Sequence, residues 1–315
     1  MPLQVTPLRT FFAHRDWIIS ATFSPDGRYF ATASADMTVC VWDSSTVLQE
    51  ASPGCHKQFE HPNWVYSVAW SPSGQFILTG AQDNNVRLWN VSSGEVLQPN
   101  TTHSAGVWSV AFSPDGRLFA SGGADNALVV WESKDGSVLF GPVIGHSNWI
   151  SAVSFSPNSR NIVSCSSDSS VCIWALDAGG LSLFKRYFAH SDWVTSVSFH
   201  PTGDYFVTGS KDCTVRIWDV RTGAGVLSKD GFYVHQREVK SVRYSPNGQF
   251  ILTASNDCSM RIIDAADGSF LTKRLVGHVD AIWCAVFSPN GQLVASAGKN
   301  GEVIIWRVIK GGTQK

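Results

Sequence analysis

A short block of residues recurs seven times along this chain, and that repetition constrains the fold more than any other feature. The copy from His190 to Trp218 shows the pattern: a histidine, an alternating apolar run, a proline-containing turn, a second run, and a third run that ends at Trp218. The copies begin at intervals of 42 to 47 residues, at His14, His61, His103, His146, His190, His235 and His278. Repeats of this period are typical of arrays or rings in which neighbouring copies bury one another's apolar faces.

Three more positions are held at constant distance from these histidines. A hydroxyl stands 18 residues after each, at Thr32, Thr79, Ser121, Ser164, Thr208, Thr253 and Ser296. An acidic residue stands 22 residues after, at Asp36, Asp83, Asp125, Asp168, Asp212 and Asp257, with Asn300 in the last copy. A tryptophan stands 28 residues after, at Trp42, Trp89, Trp131, Trp174, Trp218 and Trp306, with Ile263 in the sixth copy.

The runs between these positions have the two-residue period of β-strands. Runs such as 205–208 and 215–218 are rich in β-branched and aromatic residues, and turn-forming residues bound them. The first turn recurs as Ser-Pro-Asp-Gly or a close variant, in which proline fixes φ and glycine allows a positive φ. The chain is therefore predicted to be all-β, in units too small to bury a core alone.

The apolar alternation predicts an irregularity in the first strand of each unit. In the fifth copy Val194 occupies an inward position, yet Val197 and Phe199 do so further along, so the inward register changes between them. A β-bulge would produce this change, and bulges often re-aim a side chain at a functional rim.

These motifs resemble the WD-repeat (WD40) family of β-propellers over essentially the whole chain. The resemblance implies one seven-bladed propeller spanning residues 1–315, with four-stranded antiparallel blades. It also implies that the histidine, hydroxyl, aspartate and tryptophan of each blade form a buried hydrogen-bonded tetrad. All four residue types are present in copies 1 to 5, whereas Ile263 and Asn300 break the pattern in copies 6 and 7.

Similar propellers close the ring by letting an N-terminal segment complete the last blade. Residues 1–13, which include the strand-like stretch 6–12, are predicted to supply that closing strand. The longest interval between copies predicts an extra loop at 44–56, on the face opposite the histidines.

The remaining tryptophans mark a candidate binding face. In such propellers the residues three and five positions after the histidine, and the residue before the tetrad aspartate, flank the mouth of the central channel; in the fifth copy these are Trp193, Thr195 and Lys211. The candidate partner-binding residues are Trp17, Trp64, Tyr66, Trp108, Trp149, Trp193, Lys211, Lys240, Trp283 and Lys299. An alternative is that the tryptophans three positions after the histidine belong to the repeat template and only cover a loop.

The charge on this face is uneven. Lys211, Lys240 and Lys299 come from copies 5 to 7, with Glu238 beside them. This predicts a protein or peptide ligand that carries an apolar segment next to an anionic group; three solvated lysines are the alternative.

Composition argues against several other classes of protein. The net charge is −1 with no basic block, so neither a nucleic acid nor a membrane surface is an expected partner. Seven cysteines form no Cys-x-x-Cys pair, so neither a metal site nor a disulfide framework is predicted, and no cofactor motif is present. A cytoplasmic location is expected, with the nucleus as the alternative.

An enzyme is not expected, although histidine, hydroxyl and aspartate are the components of a hydrolase triad. An enzyme needs one exposed set, whereas seven equivalent sets indicate a structural device. The favoured function is a non-catalytic interaction scaffold.

Three narrower interpretations stay open. Tryptophans that stack on sugars would make the face carbohydrate-binding. The run from Trp218 to Arg221 matches the WDxR element of some substrate receptors of cullin-type ubiquitin ligases. The repeats are also similar to the WD-repeat sensor regions of fungal NACHT-associated signalling proteins.

Overall fold

The computed structural model describes residues 3–50, 52–100, 102–177, 179–226 and 231–310, without the side chains of 98–100 and 310. These residues form seven antiparallel sheets. The innermost strand of each sheet contacts the innermost strands of its two neighbours, and the last contacts the first, so the sheets close into a ring. The predicted all-β, seven-bladed propeller is confirmed.

Most of the chain lies in strands, numbered here in chain order. The first strand is β1 (Leu3–Phe12). Blade 1 contains β2 (Ile18–Phe23), β3 (Tyr29–Ser34), β4 (Thr38–Asp43), helix α1 (Ser44–Gln49) and β5 (Lys57–Glu60). Blade 2 contains β6 (Val65–Trp70), β7 (Phe76–Ala81), β8 (Val86–Asn90) and β9 (Val96–Asn100). Blade 3 contains β10 (Val107–Phe112), β11 (Leu118–Gly123), β12 (Ala127–Glu132) and β13 (Val138–Ile144).

The remaining blades repeat this order. Blade 4 contains β14 (Ile150–Phe155), β15 (Asn161–Ser166), β16 (Ser170–Asp177) and β17 (Gly180–Phe188). Blade 5 contains β18 (Val194–Phe199), β19 (Tyr205–Ser210), β20 (Thr214–Asp219), β21 (Gly225–Val226) and β22 (Phe232–Tyr233). Blade 6 contains β23 (Val239–Tyr244), β24 (Phe250–Ser255), β25 (Ser259–Asp264) and β26 (Leu275–Val276). Blade 7 contains β27 (Ile282–Phe287), β28 (Leu293–Gly298) and β29 (Glu302–Lys310).

The outer edge of blades 5 and 6 is less regular than the rest. In blade 5 two short strands, β21 and β22, pair with opposite ends of β20, and residues 227–230 between them lie outside the described part of the chain. In blade 6 the outer strand β26 has only two residues.

The two faces of the propeller differ in the turns that they carry. The histidine face holds the seven repeat histidines and the turns that join the second and third strands of each blade. The proline face holds the proline-containing turns between the first and second strands, such as those at Pro25 and Pro201.

The predicted bulge is present in all seven innermost strands. The pairing of β18 with β19 shifts between Val194 and Ser196, which leaves Thr195 outside the ladder. The six other innermost strands shift at the same position. The residue five positions after each histidine is therefore released from the regular alternation at the histidine face.

Serine hydroxyls on the innermost strands join neighbouring blades. The Oγ of Ser20 accepts a hydrogen bond from the backbone N–H of Val68 in the next blade, at 3.3 Å. Equivalent bonds of 3.0 to 3.2 Å join Ser67 to Val110, Ser109 to Val153 and Ser196 to Val242. In blade 4 the corresponding residue is Ala152, which has no hydroxyl to offer.

The ring is closed by the predicted N-terminal strand. β1 pairs with β29 from Leu3 opposite Lys310 to Phe12 opposite Glu302, and so becomes the outermost strand of blade 7. Positions 1 and 2 of the predicted segment lie outside the described residues. Phe11 of this strand packs edge-on against Trp42, with ring centroids 5.2 Å apart, and thus joins blade 7 to the core of blade 1.

The segment predicted as a loop at 44–56 contains helix α1, a feature that its short polar sequence did not indicate. The side chain of Asp43 caps the helix by accepting from the backbone N–H groups of Ser45 and Thr46. Val47 is buried in the core cluster that contains Phe11. Within the described part of the chain no helix is long and apolar enough to cross a membrane.

The closing strand can be tested at two adjacent positions of β1. Phe11 is 6% exposed and Phe12 is 73% exposed. Replacing Phe11 with Ala leaves a cavity between blades 7 and 1 and is expected to lower the free energy of unfolding by about 3–5 kcal/mol. Phe12→Ala, the control, is expected to change it by less than about 0.5 kcal/mol. Urea unfolding of the two variants measures the difference, and equal effects would contradict the proposed role of Phe11.

Candidate functional site

The repeat tetrads form the scaffold of the candidate site, and blade 1 shows the complete arrangement. The indole N–H of Trp42 donates to Thr32 Oγ1 at 2.9 Å. His14 lies 2.7 Å from the same oxygen through Nε2 and 2.9 Å from Asp36 through Nδ1. Because an ionised carboxylate only accepts, Nδ1 carries the proton and the threonine hydroxyl donates to Nε2. The chain of bonds therefore ties all three inner strands together.

Blades 3 and 5 repeat this arrangement. His103 joins Asp125 and Ser121 at 3.0 and 2.7 Å, and Trp131 donates to Ser121 at 2.8 Å. In blade 5 the corresponding contacts of His190, Thr208, Asp212 and Trp218 are 2.8 to 2.9 Å.

The prediction of a complete tetrad in blade 2 is wrong. Asp83 does not contact His61 but forms two hydrogen bonds to the guanidinium of Arg87, at 3.0 and 2.5 Å. His61 Nδ1 instead lies 3.3 Å from the carbonyl oxygen of Phe59. The bidentate arginine takes the carboxylate because the fork geometry offers it two charge-assisted bonds. Burial and the nearby charge of Arg87 lower the pKa of His61 to about 4.

The tetrad of blade 4 is looser than predicted. His146 Nδ1 lies 2.9 Å from Ser170 Oγ and 3.4 Å from Asp168, whose carboxylate also pairs with Arg186 at 3.0 Å. The other two contacts are intact, since Ser164 Oγ lies 2.8 Å from both His146 Nε2 and Trp174 Nε1.

Blades 6 and 7 depart from the pattern in different ways. In blade 6 His235 keeps its contacts to Thr253 and Asp257, while Ile263 offers no indole. In blade 7 Asn300 forms no hydrogen bond with His278. Glu302 Oε2 lies 3.0 Å from His278 Nδ1, but the two atoms are not aligned for a hydrogen bond. Burial raises the pKa of Glu302 and lowers that of His278 to about 4.

The tetrads are not accessible to a substrate. The central hydroxyls, such as those of Thr32, Ser121 and Thr208, belong to fully buried residues. Among the described residues no group of three or more His, Cys, Asp and Glu side chains could hold a metal ion.

Local hydrogen bonds fix the tryptophans on the histidine face. The side chain of the preceding Asp or Asn accepts from the tryptophan's backbone N–H, as Asp16 does for Trp17 at 2.7 Å and Asn148 does for Trp149 at 2.9 Å. The carbonyl of this tryptophan position accepts from the residue before the tetrad aspartate, which places the N–H of Lys211 2.9 Å from the carbonyl oxygen of Trp193. The structure thus brings together the positions that the sequence singled out.

The seven aromatic side chains form two groups of contacting rings at the mouth of the channel, together called the aromatic rim. One group runs through Tyr66, Trp108, Trp149 and Trp193, with successive ring centroids 4.2, 5.7 and 6.0 Å apart. The other places Trp17 between Trp64 and Trp283, at 6.1 and 5.6 Å. Trp64, Trp149 and Trp193 are exposed, and Trp17, Trp108 and Trp283 are partly buried.

Three lysines lie over these tryptophans. Lys211 Nζ is 3.4 Å from the ring centroid of Trp193 in its own blade. Lys240 and Lys299 reach into the next blade, where they lie 4.7 Å from Trp283 and 4.6 Å from Trp17. Each contact is a cation–π interaction, which helps to hold the lysine and the tryptophan ring in place. Lys240 also pairs with Glu238 at 2.7 Å.

A cavity of about 310 Å³ opens below the aromatic rim. Its lining includes Tyr66, Trp108, Trp149, Trp193 and Trp283 from the rim, and Lys211 and Lys240 beside them. Trp17, Trp64 and Lys299 lie outside the lining. Larger hollows occur elsewhere, such as one of about 740 Å³ lined by Tyr205, Tyr244 and Phe250, but no comparable set of aromatic and cationic groups converges there.

Two face residues have structural roles. The hydroxyl of Thr195 donates to the carbonyl of Val239 in blade 6 at 2.6 Å, so it serves to join blades. Tyr66 is only 8% exposed and lies flat against Trp108, with 6° between the ring planes, so it supports that tryptophan from below.

Arg243 is a cavity residue that the sequence analysis missed. It stands eight positions after His235, where the other blades have small or uncharged residues, and its side chain lines the cavity. The sequence did contain one signal for it, because Arg243 is the only charged residue at that position of the repeat.

The family model for the WD domain, G-beta repeat, matches seven segments of the chain: 5–43, 54–90, 94–132, 136–175, 181–219, 227–264 and 269–307. The chain belongs to the WD-repeat family. Each matched segment begins with an outer strand and ends with the third strand of the following blade, which agrees with the shared strand that closes the ring.

Two curated proteins match a short stretch of the chain. Nucleoporin SEH1 of Caenorhabditis briggsae is 48% identical over 42 residues, which are 13% of this chain and 12% of that protein. Nucleoporin SEH1 of Caenorhabditis elegans is 49% identical over 39 residues, 12% of this chain and 11% of that protein. A match of this length covers about one repeat, so it reflects the residues that the repeats have in common.

The buried histidines predict a pH dependence of stability. The pKa values of His61 and His278 are about 4 in the folded state, against about 6.5 in an unfolded chain. Between pH 6.5 and pH 4 the two histidines bind protons in the unfolded chain but not in the folded state. The free energy of unfolding therefore falls as the pH falls from 6.5 to 4, by up to about 1.4 kcal/mol per pH unit for each histidine. Aspartates with lowered pKa values, such as Asp212, lose their contribution only at still lower pH.

The measurement is urea unfolding of wild type and His61→Asn at several pH values. The variant is expected to be less stable at pH 7 but to have a smaller slope between pH 6.5 and 4. His56→Asn, at an exposed loop position, is the control and is expected to keep the wild-type slope. An unchanged slope in His61→Asn would contradict the assignment.

Blade 6 offers a matched test of the tetrad. Thr208→Val removes the partner of both Trp218 and His190, whereas Thr253→Val removes only that of His235 because Ile263 has no N–H. At about 1 kcal/mol for each buried hydrogen bond, Thr208→Val is expected to cost about 1 kcal/mol more. Urea unfolding of both variants measures this, and an equal or reversed order would refute the idea that the indole bond stabilises the blade.

Proposed function

We propose that the protein is a non-catalytic interaction module that binds a protein or peptide through the aromatic rim. The observation that carries this proposal is the clustering of six tryptophans and one tyrosine on the histidine face, where four of the tryptophans and the tyrosine line one cavity. Family membership supports the general role, because WD-repeat propellers commonly serve as protein-interaction scaffolds.

Exposure of the rim supports a contact surface. Trp64, Trp149 and Trp193 are each 37 to 40% exposed, and Trp149 and Trp193 contact each other. Contiguous exposed apolar surface is unusual for a protein without a partner. Tryptophan is also among the residues that dominate binding energy at interfaces, where truncation commonly costs about 2 kcal/mol or more.

The rim is held in position before any ligand arrives. Backbone bonds from Asp16 and Asn148, stacking between Trp108 and Trp149, and the cation–π contact of Lys211 each restrict a rim side chain. Pre-organised groups lose little conformational entropy on binding, so more of their contact energy appears as affinity. A tryptophan that merely covered a loop would not need this support from neighbouring blades.

The lysines define the charge of the ligand. Because Lys211, Lys240 and Lys299 already occupy faces of Trp193, Trp283 and Trp17, an external cation would find these aromatic faces taken. An apolar or stackable segment next to an anionic group suits the surface better. A peptide with acidic residues or a phosphate has this chemistry.

Carbohydrate binding is less well supported. Sugar recognition needs free aromatic faces with polar side chains beside them, yet the rim tryptophans stack on one another and the hydroxyl of Thr195 is engaged with a backbone carbonyl. A glycan array probed in parallel with a peptide array would separate the two classes of ligand.

The two remaining interpretations concern the wider biological role. Arg221 of the WDxR match is exposed beyond the end of β20, at the proline face, and nothing else there favours a ubiquitin ligase receptor. A sensor role like that of the fungal NACHT-associated repeats would use the same rim, since the residues at these positions differ from blade to blade.

The rim can be tested by affinity purification. We expect the triple variant with Trp64, Trp108 and Trp283 changed to Ala to lose the partners that the wild type retains, since each truncation removes about 2 kcal/mol. Phe184→Ala is the matched control, because Phe184 is an exposed aromatic residue on the outer strand β17. Unchanged partners in the triple variant, with an unchanged melting temperature, would refute the proposal.

A further inference from the structure

The central cavity contains a cation that no described carboxylate neutralises. Arg243 lies on β23, the innermost strand of blade 6, and no Asp or Glu in the described part of the chain forms an ion pair with it. Burial lowers the pKa of its guanidinium from the usual value, which reflects the cost of keeping this charge away from water. A buried or partly buried charge of this kind is normally paired.

The guanidinium is held in a defined position. Its Nη1 donates to Ser196 Oγ at 3.1 Å, to the carbonyl of Val242 at 2.9 Å and to the carbonyl of Val197 at 3.4 Å. Ser196 and Val197 belong to blade 5, directly after the bulged Thr195. The side chain therefore turns back towards the histidine face and lies just below the aromatic rim. Described hydrogen bonds engage only Nη1, which leaves Nε and Nη2 as donors.

The lining of the cavity is cationic without a compensating acid. Lys211, Lys240 and Arg243 line it, and no carboxylate does so among the described residues. Glu238 neutralises Lys240 from outside the lining. Carboxylates such as Asp16 and Asp192 lie on the outer side of the rim, where they accept from tryptophan backbones. The charged side chains of the cavity lining are therefore all cationic.

No other blade has a charged residue at this position of the repeat. At the position of Arg243 the other six blades carry Thr22, Ala69, Ala111, Ser154, Ser198 and Val286. None of these residues offers the guanidinium a negative charge.

We propose that the channel binds an anionic group, a carboxylate or a phosphate, on the free donors of Arg243, with Lys211 as the second cation. This inference rests on the proposed function and identifies the anchor of the peptide that the aromatic rim would hold. The rim lysines are already engaged with tryptophan faces or with Glu238, so Arg243 and not the rim supplies the main anion contact.

Small anions test the site without the unidentified partner. The melting temperature of the full chain is measured with increasing glutarate or inorganic phosphate, at an ionic strength matched with sodium chloride. A ligand that binds only the folded state stabilises it by RT ln(1 + L/Kd), where L is the free ligand concentration, so the melting temperature rises with the concentration of the ligand. We expect a rise in the wild type and an apparent affinity at least about tenfold weaker in Arg243→Gln.

The two anions distinguish the source of the charge. A rise in melting temperature with glutarate alone identifies a carboxylate ligand, and a rise with phosphate alone identifies a phosphate ligand. A rise with both identifies a site that recognises negative charge without distinguishing the two groups. No rise beyond the sodium chloride control, or an equal rise in Arg243→Gln, overturns the inference.

A second variant keeps the test valid if Arg243→Gln does not fold. Lys211→Gln is expected to weaken the anion effect several-fold, while Lys134→Gln, an exposed lysine on the turn after β12, leaves it unchanged. An unchanged anion effect in Lys211→Gln would then overturn the inference. Failure here is distinguishable from failure of the proposed function: if partners still depend on the tryptophans but no anion stabilises the protein, only the channel site is refuted.

Discussion

Closure of the ring is the constraint on which the rest of the structure depends. Each blade is a sheet with two apolar faces, and neither face can be covered except by a neighbouring blade. The contact between blade 7 and blade 1 therefore completes the burial of both, and it is built from strand β1 and the side chain of Phe11. Because a ring has no end blades, every other interface can be equivalent.

The bulge separates the scaffold from the candidate binding surface. Before it, the first strand of each blade emerges from a loop that the tetrad histidine anchors; after it, residues such as Val197 return to the packed interior. The single residue released between these parts is the one that varies most in character, from Lys240 to Trp283. A constant framework thus presents a variable set of side chains around one channel.

Much of the fold follows from the sequence because the determining interactions are local or repeated. The two-residue period predicts the strands, and the change of inward register around Val194 predicts the bulge. The exchange of partners in blade 2 could not be predicted in this way. Asp83 can bond either to His61 or to Arg87, which stands four residues after it. The repeat pattern alone does not show which of the two residues binds the carboxylate. The approach of Glu302 to His278 likewise depends on a contact that the repeat pattern does not contain.

Only part of the candidate site could be predicted, again because some of its contacts join different repeats. The tryptophans and lysines stand at fixed positions of the repeat, so counting from the histidines finds them. Arg243 was missed because its position is not one of the three that flank the channel mouth, and only the structure brings its guanidinium to the level of Ser196. The engagement of Thr195 with the next blade likewise depends on a contact between repeats.

The antiparallel pairing of β1 with β29 has a consequence for how the molecule would be oriented. Leu3 lies opposite Lys310 at the proline-face end of the sheet, whereas Phe12 lies opposite Glu302 at the histidine face. The described ring therefore begins and ends at one corner of blade 7, on the side away from the tryptophans. The strand that closes the ring thus leaves the channel mouth, on the opposite face, clear of both of these strand ends.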